Sequence, residues 1–244
     1  MYKLISLLSL LIPVLLLTAC DDDSTGPSTD VAMLAGRVTE ASGDPVADAR
    51  IVIAFGIDDV GFGEEWGPSR RSLVAKVLIK YDLPAPGNVR VEVQDLDGAR
   101  VRLLHDAPVG AESLKVAWDW ADADGVPLPC GVYRFVLDYR AADGAIEDDH
   151  LEELFLMYTP DVEGLYERPQ THTGPDGRFE VPLASLPIGV TIDDDPPESL
   201  GVDALVVSQR VRVLAFREGE PLTPVATVVD ILDLESDLIV DLTF

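Results

Sequence analysis

The stretch VRVEVQ at residues 89–94 places three valines on one side of an extended chain and three polar side chains on the other. Side chains alternate between the two faces of a β-strand, so this pattern predicts a strand with one buried and one solvated face. The alternation recurs in YRFVLDYR at 133–140, with Val136 as the apolar exception, and in LIVDLTF at 238–244. Helical periodicity is scarce after residue 19. The sequence therefore predicts an all-β protein.

Aspartate–glycine pairs separate these predicted strands. Glycine takes the positive φ that tight hairpin turns need, and the pairs stand between β-branched segments. Strands broken by turns at such short spacing favour a sandwich over a parallel α/β sheet. The pairs are Asp97-Gly98, Asp124-Gly125, Asp143-Gly144 and Asp176-Gly177. Residues 148–157 fit either a helix or a strand, and we predict a strand.

Two segments resemble parts of the carboxypeptidase regulatory-like domain, which has a transthyretin-like sandwich. The first is GRVT at 36–39 with GDPVADARIVI at 43–53, in which a strand begins, turns and re-enters the core. The second is THTGPDGRF at 171–179, followed by LPIGVTI. In that family the second signature follows the first closely, whereas more than a hundred residues intervene here. The resemblance therefore implies an insertion.

The inserted residues resemble the Ig-like domain of flagellar hook-capping proteins. A strand, an Asp-Gly turn, a Trp-Asp corner and a Gly-Val-Tyr strand follow one another in order. The segments are YDLP at 81–84, VRVEV at 89–93, DGARVRLL at 97–104, Trp118-Asp119, Asp124-Gly125 and GVYRF at 131–135. The chain departs from the family at Cys130, where a small polar residue is usual, and at Trp120, where a glycine often follows Trp-Asp.

Together these resemblances imply two β-sandwiches, with the Ig-like one inserted in the transthyretin-like one. The expected boundaries are 31–75 and 142–244 for the split transthyretin-like sandwich and 76–141 for the Ig-like domain. About 214 residues, one large or two small β domains, suffice to bury a core. Limited proteolysis that gives one fragment, with no cut near residue 76 or 141, would count against the split.

The N-terminus has the layout of a secretory signal peptide over residues 1–19, with Lys3 followed by an apolar run. The alternative is an uncleaved membrane anchor, but the run is shorter than the ~20 apolar residues that span a bilayer. LTAC at 17–20 resembles the lipobox of bacterial lipoproteins. That resemblance implies cleavage before Cys20, lipid on its sulfur, and a location on a membrane of the bacterial cell envelope. Residues 20–30, acidic and rich in small residues, are expected to be a flexible tether.

Charge and cysteine usage narrow the functional classes. The chain has 44 acidic and 18 basic residues, a formal charge of −26. Such a field repels nucleic acid and anionic lipid surfaces, which argues against a DNA-binding role. With Cys20 lipidated, Cys130 has no partner for an intramolecular disulfide, so the fold has to rest on its hydrophobic core.

Two sets of residues suggest metal sites. Asp119, Asp122 and Asp124 are weak Ca²⁺ candidates, since the distal bidentate glutamate of an EF-hand is absent and aspartates commonly cap turns. His150 and Glu153 have a spacing used in zinc carboxypeptidases, but on a strand they would point to opposite faces. We therefore predict neither a metal nor a cofactor.

The remaining candidates are aromatic residues and a thiol. Phe62 and Trp66 lie in the loop-like GFGEEWGP at 61–68, with little nearby to bury them, and are the predicted contact with a partner. Trp118 and one neighbour are better explained as sandwich core, and Cys130 as a small side chain filling a turn.

The sequence contains no nucleophile elbow, phosphate-binding glycine loop or Cys-x-x-Cys. We therefore predict a non-enzymatic, lipid-anchored envelope protein that serves as a structural, adhesion or protein-interaction module. The alternative is a calcium- or glycan-binding lipoprotein. Expected partners are the membrane, through the lipid, and other envelope proteins or glycans, but not nucleic acid.

Overall fold

Strands dominate the computed structural model of the protein, which describes residues 31–58, 77–110, 113–142, 144, 148–157, 162–196 and 201–244. The strands are β1 (Met33–Thr39), β2 (Arg50–Ile57), β3 (Val77–Asp82), β4 (Gly87–Gln94), β5 (Arg100–Val109), β6 (Ser113–Trp118), β7 (Gly131–Ala141), β8 (Asp149–Met157), β9 (Thr171–His172), β10 (Arg178–Pro182), β11 (Thr191–Asp193), β12 (Leu205–Phe216), β13 (Val225–Asp230), β14 (Leu238–Ile239) and β15 (Leu242–Thr243). A short helix, α1 (Val162–Tyr166), follows β8. The predicted all-β class is confirmed, as is a strand at 148–157.

Strands β3 to β8 form one sandwich. An antiparallel sheet in the order β5-β4-β7-β8 packs against the antiparallel pair β3-β6. The ring of Trp118 on β6 meets that of Tyr133 on β7 edge-on, with centroids 5.5 Å apart. The three valines of β4 are buried between the sheets because alternate residues of a strand share a face.

Strand β8 belongs to this sandwich by its pairing. It runs antiparallel to β7 from Gly131↔Met157 to Tyr139↔Asp149 without a register shift. The four-stranded sheet thus extends to Met157, whereas the predicted Ig-like domain ends at residue 141.

The remaining strands form a second sandwich, so the chain leaves it after β2 and re-enters it at β9. One sheet has the order β10-β1-β14, with β15 also on β1, and the other has the order β11-β12-β2-β9, with β13 also on β12. Strand β2 is buried from Ile51 to Ile57 without alternation. Helix α1, whose Leu165 and Tyr166 are buried, contacts this strand. Both faces of β2 therefore carry apolar residues.

The glycines of the four predicted turns all have positive φ, from 66° at Gly144 to 82° at Gly98 and Gly125. This confirms that the Asp-Gly pairs supply left-handed backbone. The Asp97-Gly98 turn joins β4 to β5, with Asp95 N–H donating to Ala99 O at 3.0 Å. The Asp176-Gly177 turn precedes β10 in the same way.

Candidate functional site

The calcium candidates Asp119 and Asp122 bind different groups of the protein. Asp119 Oδ1 accepts a hydrogen bond from Arg102 Nη1 at 2.7 Å. Asp122 Oδ1 accepts from the backbone N–H groups of Asp124 and Val126 at 2.9 and 2.8 Å, which closes the turn. Within the described parts of the chain, no group of three or more His, Cys, Asp or Glu is arranged to hold a metal ion. The geometry fits an ion pair and a turn cap.

We expect Asp122→Ala to destabilise the protein by about 1 kcal/mol, because two backbone donors lose their acceptor. Asp124→Ala is the matched control, and it should leave the melting temperature within about a degree of wild type. Millimolar calcium should leave the melting temperatures of wild type, Asp122→Ala and Asp124→Ala unchanged. A rise in melting temperature with calcium that Asp122→Ala abolishes would contradict this assignment.

His150 lies on the solvent face of β8, between two carboxylates. Its Nδ1 is 2.6 Å from Asp138 on β7, and its Nε2 is 3.1 Å from Glu152, two residues along its own strand. Glu153 points to the opposite face, because successive strand residues alternate. The described residues thus do not assemble the zinc spacing into a site.

The same face carries a row of alternating charges across all four strands. Strand pairing places Asp106, Arg90, Asp138 and His150 side by side. A groove of about 560 Å³ runs along this row. At its end, burial and a hydrogen bond to Asp149 raise the pKa of Tyr81 to about 12, so its hydroxyl stays protonated and donates. The charges of the groove mainly satisfy one another.

The His150 ion pairs make a pH-dependent contribution to stability. Hydrogen bonds to Asp138 and Glu152 raise the pKa of His150 above its ordinary value. A raised folded-state pKa means that the contribution is complete below the unfolded value of about 6.5 and is lost as pH rises through the folded value. We expect His150→Gln to lower the melting temperature at pH 5.5 but not at pH 8.5. An equal effect at both, or an NMR titration in which Asp138→Asn does not lower the His150 pKa, would contradict this.

The Trp-Asp corner of the sandwich formed by β3 to β8 is a packed aromatic cluster. Trp118 and Trp120 are buried with ring centroids 4.6 Å apart, which confirms that Trp118 and a neighbour are core. Trp120 has φ of 59°, the left-handed conformation that a glycine would take most easily. For a bulky residue this conformation costs roughly 1–2 kcal/mol. Burial of the indole offsets that cost.

Two side chains that the sequence did not single out join the sandwiches at this corner. Arg168, just after α1, donates through Nη1 to the carbonyl oxygens of Trp120 and Leu128, both at 3.0 Å. Gln170 accepts from Ile53 N–H at 2.6 Å and donates to Ile53 O at 2.9 Å and to Cys130 O at 3.1 Å. This set, Arg168 and Gln170 with their four carbonyl acceptors, is the junction. It ties β2 of one sandwich to the start of β7 of the other.

A cleft of about 340 Å³ lies beside the junction. Val132 and Tyr133 line it from one sandwich, and Leu186 and Pro187 line it from the other. Burial raises the pKa of Tyr133, whose hydroxyl donates to Pro129 O at 2.8 Å. Cys130 is also buried here, as expected for a small side chain that fills a turn. The Tyr133 hydroxyl is thus used in a hydrogen bond within the wall of the cleft.

Three predicted residues lie outside the described parts of the chain, namely Cys20, Phe62 and Trp66. Lipidation of the first and partner contact by the other two therefore stay predictions. None of the described helices is long and apolar enough to cross a membrane.

Comparison with known proteins gives structural similarity but no family. No family model matches, and no curated protein matches. FlgD from Xanthomonas campestris, a protein of flagellar hook capping, is 21% identical with a TM-score of 0.27 over 46% of this chain and 70% of that one. FlgD from P. aeruginosa is 22% identical with a TM-score of 0.25 over 46% and 73%. At this level of similarity, function has to be argued from the chain's own residues.

Proposed function

We propose that the protein is a lipid-anchored, non-catalytic protein-interaction module of the bacterial cell envelope. The lipobox-like LTAC at 17–20 and the acidic tether at 20–30 support the anchor. Two or three acyl chains, at ~0.8 kcal/mol per buried methylene, hold a protein durably on a membrane. In this proposal a transthyretin-like sandwich, interrupted by an Ig-like one, stands beyond the tether.

The observation that carries the proposal is the junction. Three hydrogen bonds from the two side chains cross from one sandwich to the other, and two more fix Gln170 on β2. A body that presents its surfaces at a fixed spacing suits a scaffold, because less conformational entropy is lost when a partner spans it. An enzyme that closes over a substrate needs the opposite, a joint that moves.

The charged groups also support a binding role over catalysis. Catalysis requires titratable groups that converge on a substrate in a cleft. In the groove, Asp138 and His150 are instead bonded to each other at 2.6 Å, and Arg90 is bonded to Glu92 at 2.9 Å. These pairs stand on an open sheet face and not in a cleft where they could converge on a substrate.

The anchor is tested by labelling the full chain with palmitate in a bacterial host. We expect label on wild type and on the matched control Cys130→Ala, and none on Cys20→Ala. A wild-type product that stays unlabelled, or that still begins with Met1, would contradict the anchor.

The interaction role is tested by crosslinking the anchored protein in its native membranes. A scaffold should give a stoichiometric complex with another envelope protein and no saturable binding of calcium or a glycan. Saturable binding of a small ligand with no protein complex would contradict the proposal.

A further inference from the structure

We propose that the free edge of β13 is the docking surface, and that it pairs with an extended, cationic segment of another protein as an added strand. This inference rests on the proposed interaction role and assigns it a surface and a partner chemistry. The edge is defined as Val225–Asp230, the strand that closes the five-stranded sheet on one side.

Strand pairing shows which backbone groups of β13 are available. Six consecutive pairs, Arg210↔Asp230 to Ala215↔Val225, join it to β12 without a register shift. The hydrogen bond from Ile231 N–H to Gln209 O sets the phase of the antiparallel ladder, so odd-numbered residues of β13 bond to β12. The N–H and C=O groups of Ala226, Val228 and Asp230 therefore point away from the sheet. Within the described residues no strand pairs there, since β15, which contacts β13 from the facing sheet, pairs with β1.

This edge has few of the devices that usually block strand addition, its one charge being Asp230 at the end of the strand. Edge strands are normally protected by charges, prolines, bulges or short length. Among described edges of five or more residues, β5 has register shifts and a proline, β8 has three acids and His150, and β3, β6 and β10 carry charges in mid-strand. By contrast, residues 225–229 are five uncharged residues without proline or glycine. Val228 among them is 52% exposed.

The surrounding charge argues for a cationic partner. Glu220, Asp233 and Glu235 flank the strand and are exposed. Of the nearby cations, Arg210 is paired with Asp230 at 2.7 Å and Arg217 with Glu40 at 2.6 Å, and Arg212, across from Val228 on β12, is half-buried. A second copy of the chain, with its own net formal charge of −26, would repel the first. Electrostatic complementarity therefore favours lysine or arginine on the incoming strand.

The pattern of the incoming strand follows from the faces of β13. Val225, Thr227 and Val229 are half buried toward the sandwich interior, whereas Ala226, Val228 and Asp230 face solvent. A segment that alternates apolar and basic residues matches both faces. Main-chain bonds would supply affinity, and this alternation would supply specificity.

The probe is a synthetic octapeptide alternating valine with lysine, titrated into the full mature chain in detergent. We expect saturable binding with slowed amide exchange at Ala226 and Val228, and no binding of the same peptide with glutamate in place of lysine. Val228→Pro removes an outward donor while leaving every β12 bond intact, so the fold should survive. It should weaken binding at least tenfold, whereas the matched control Val228→Thr, which keeps the N–H, should bind as wild type does.

Several outcomes would overturn the inference: peptide binding without protection at β13, equal binding of the acidic peptide, or a dimer formed through β13. If Val228→Pro fails to fold, Val228→Lys serves instead, since a lysine on the edge repels the cationic strand and should also weaken binding at least tenfold. If an envelope complex forms equally with wild type and with Val228→Pro, β13 is not the docking surface, but the proposed interaction role is unaffected. If wild type forms no complex, the proposed interaction role is itself wrong.

Discussion

Replacing Gly36 by alanine should destabilise the protein by about 3 kcal/mol, at the upper end of the cost of overpacking a core. A Cβ at this position would overlap the carbonyl oxygen of Val240 and lie 2.9 Å from the ring of Phe179. The carbonyl belongs to backbone that is itself held in place, because Val240 N–H donates to Ala35 O at 2.8 Å. The carbonyl cannot move aside without disturbing the parallel pairing between β1 and β14.

The measurement is urea unfolding of Gly36→Ala beside a matched glycine that has room. A Cβ on Gly110 would meet no atom within 4 Å, and the φ of Gly110 lies outside the left-handed region. Gly110→Ala should therefore change the free energy of unfolding by less than about 0.5 kcal/mol. Equal midpoints for the two variants would show that the backbones of β1 and β14 do not approach closely enough to require a glycine.

Gly36 also shows what the sequence could reveal and what it could not. Its motif predicts that a strand begins here, and β1 does run through it. The reason for glycine is a contact with Val240, some two hundred residues further along the chain. Local patterns record which face a residue presents, but they do not record what a distant segment brings to that face.

The same division holds for the rest of the fold. Alternation locates β4 and β7, because each has one apolar face in the core and another face that carries most of its polar residues. It fails for β2, because both faces of that strand are apolar and buried. The Asp-Gly turns are local chemistry and are found correctly. The sequence does not indicate that the four-stranded sheet continues to Met157, because the residues of β7 do not show which strand pairs with it.

The junction is the part of the candidate site that sequence reasoning missed. Arg168 and Gln170 stand in no motif, and their acceptors are backbone carbonyls, which every residue has. The nearest signal is their position just before the THTGPDGRF segment, at which the chain re-enters the second sandwich. A polar side chain at such a crossing point is suited to join two bodies, since it can bond to both.

Gln170→Glu should destabilise the protein by about 3 kcal/mol. The glutamate has nearly the same shape but cannot donate, so the carbonyls of Ile53 and Cys130 lose their partner, and each such loss costs roughly 1–3 kcal/mol. The carboxylate would also face those two oxygens, which raises its pKa in the folded state. The penalty should therefore shrink as pH falls from 7 toward 4, because a protonated carboxyl can donate one of the lost bonds.

Urea unfolding at pH 7 and pH 4.5 measures this, with Gln209→Glu as the control. Gln209 is exposed on β12, so its exchange should cost less than about 0.5 kcal/mol at either pH. Spin labels at Asn88 and Glu180, one in each sandwich, measure the distance between the two sandwiches. The distance distribution should be narrow in wild type and Gln209→Glu and should broaden in Gln170→Glu at pH 7. A narrow distribution in every variant would mean that the fixed spacing of the sandwiches does not depend on the hydrogen bonds of Gln170.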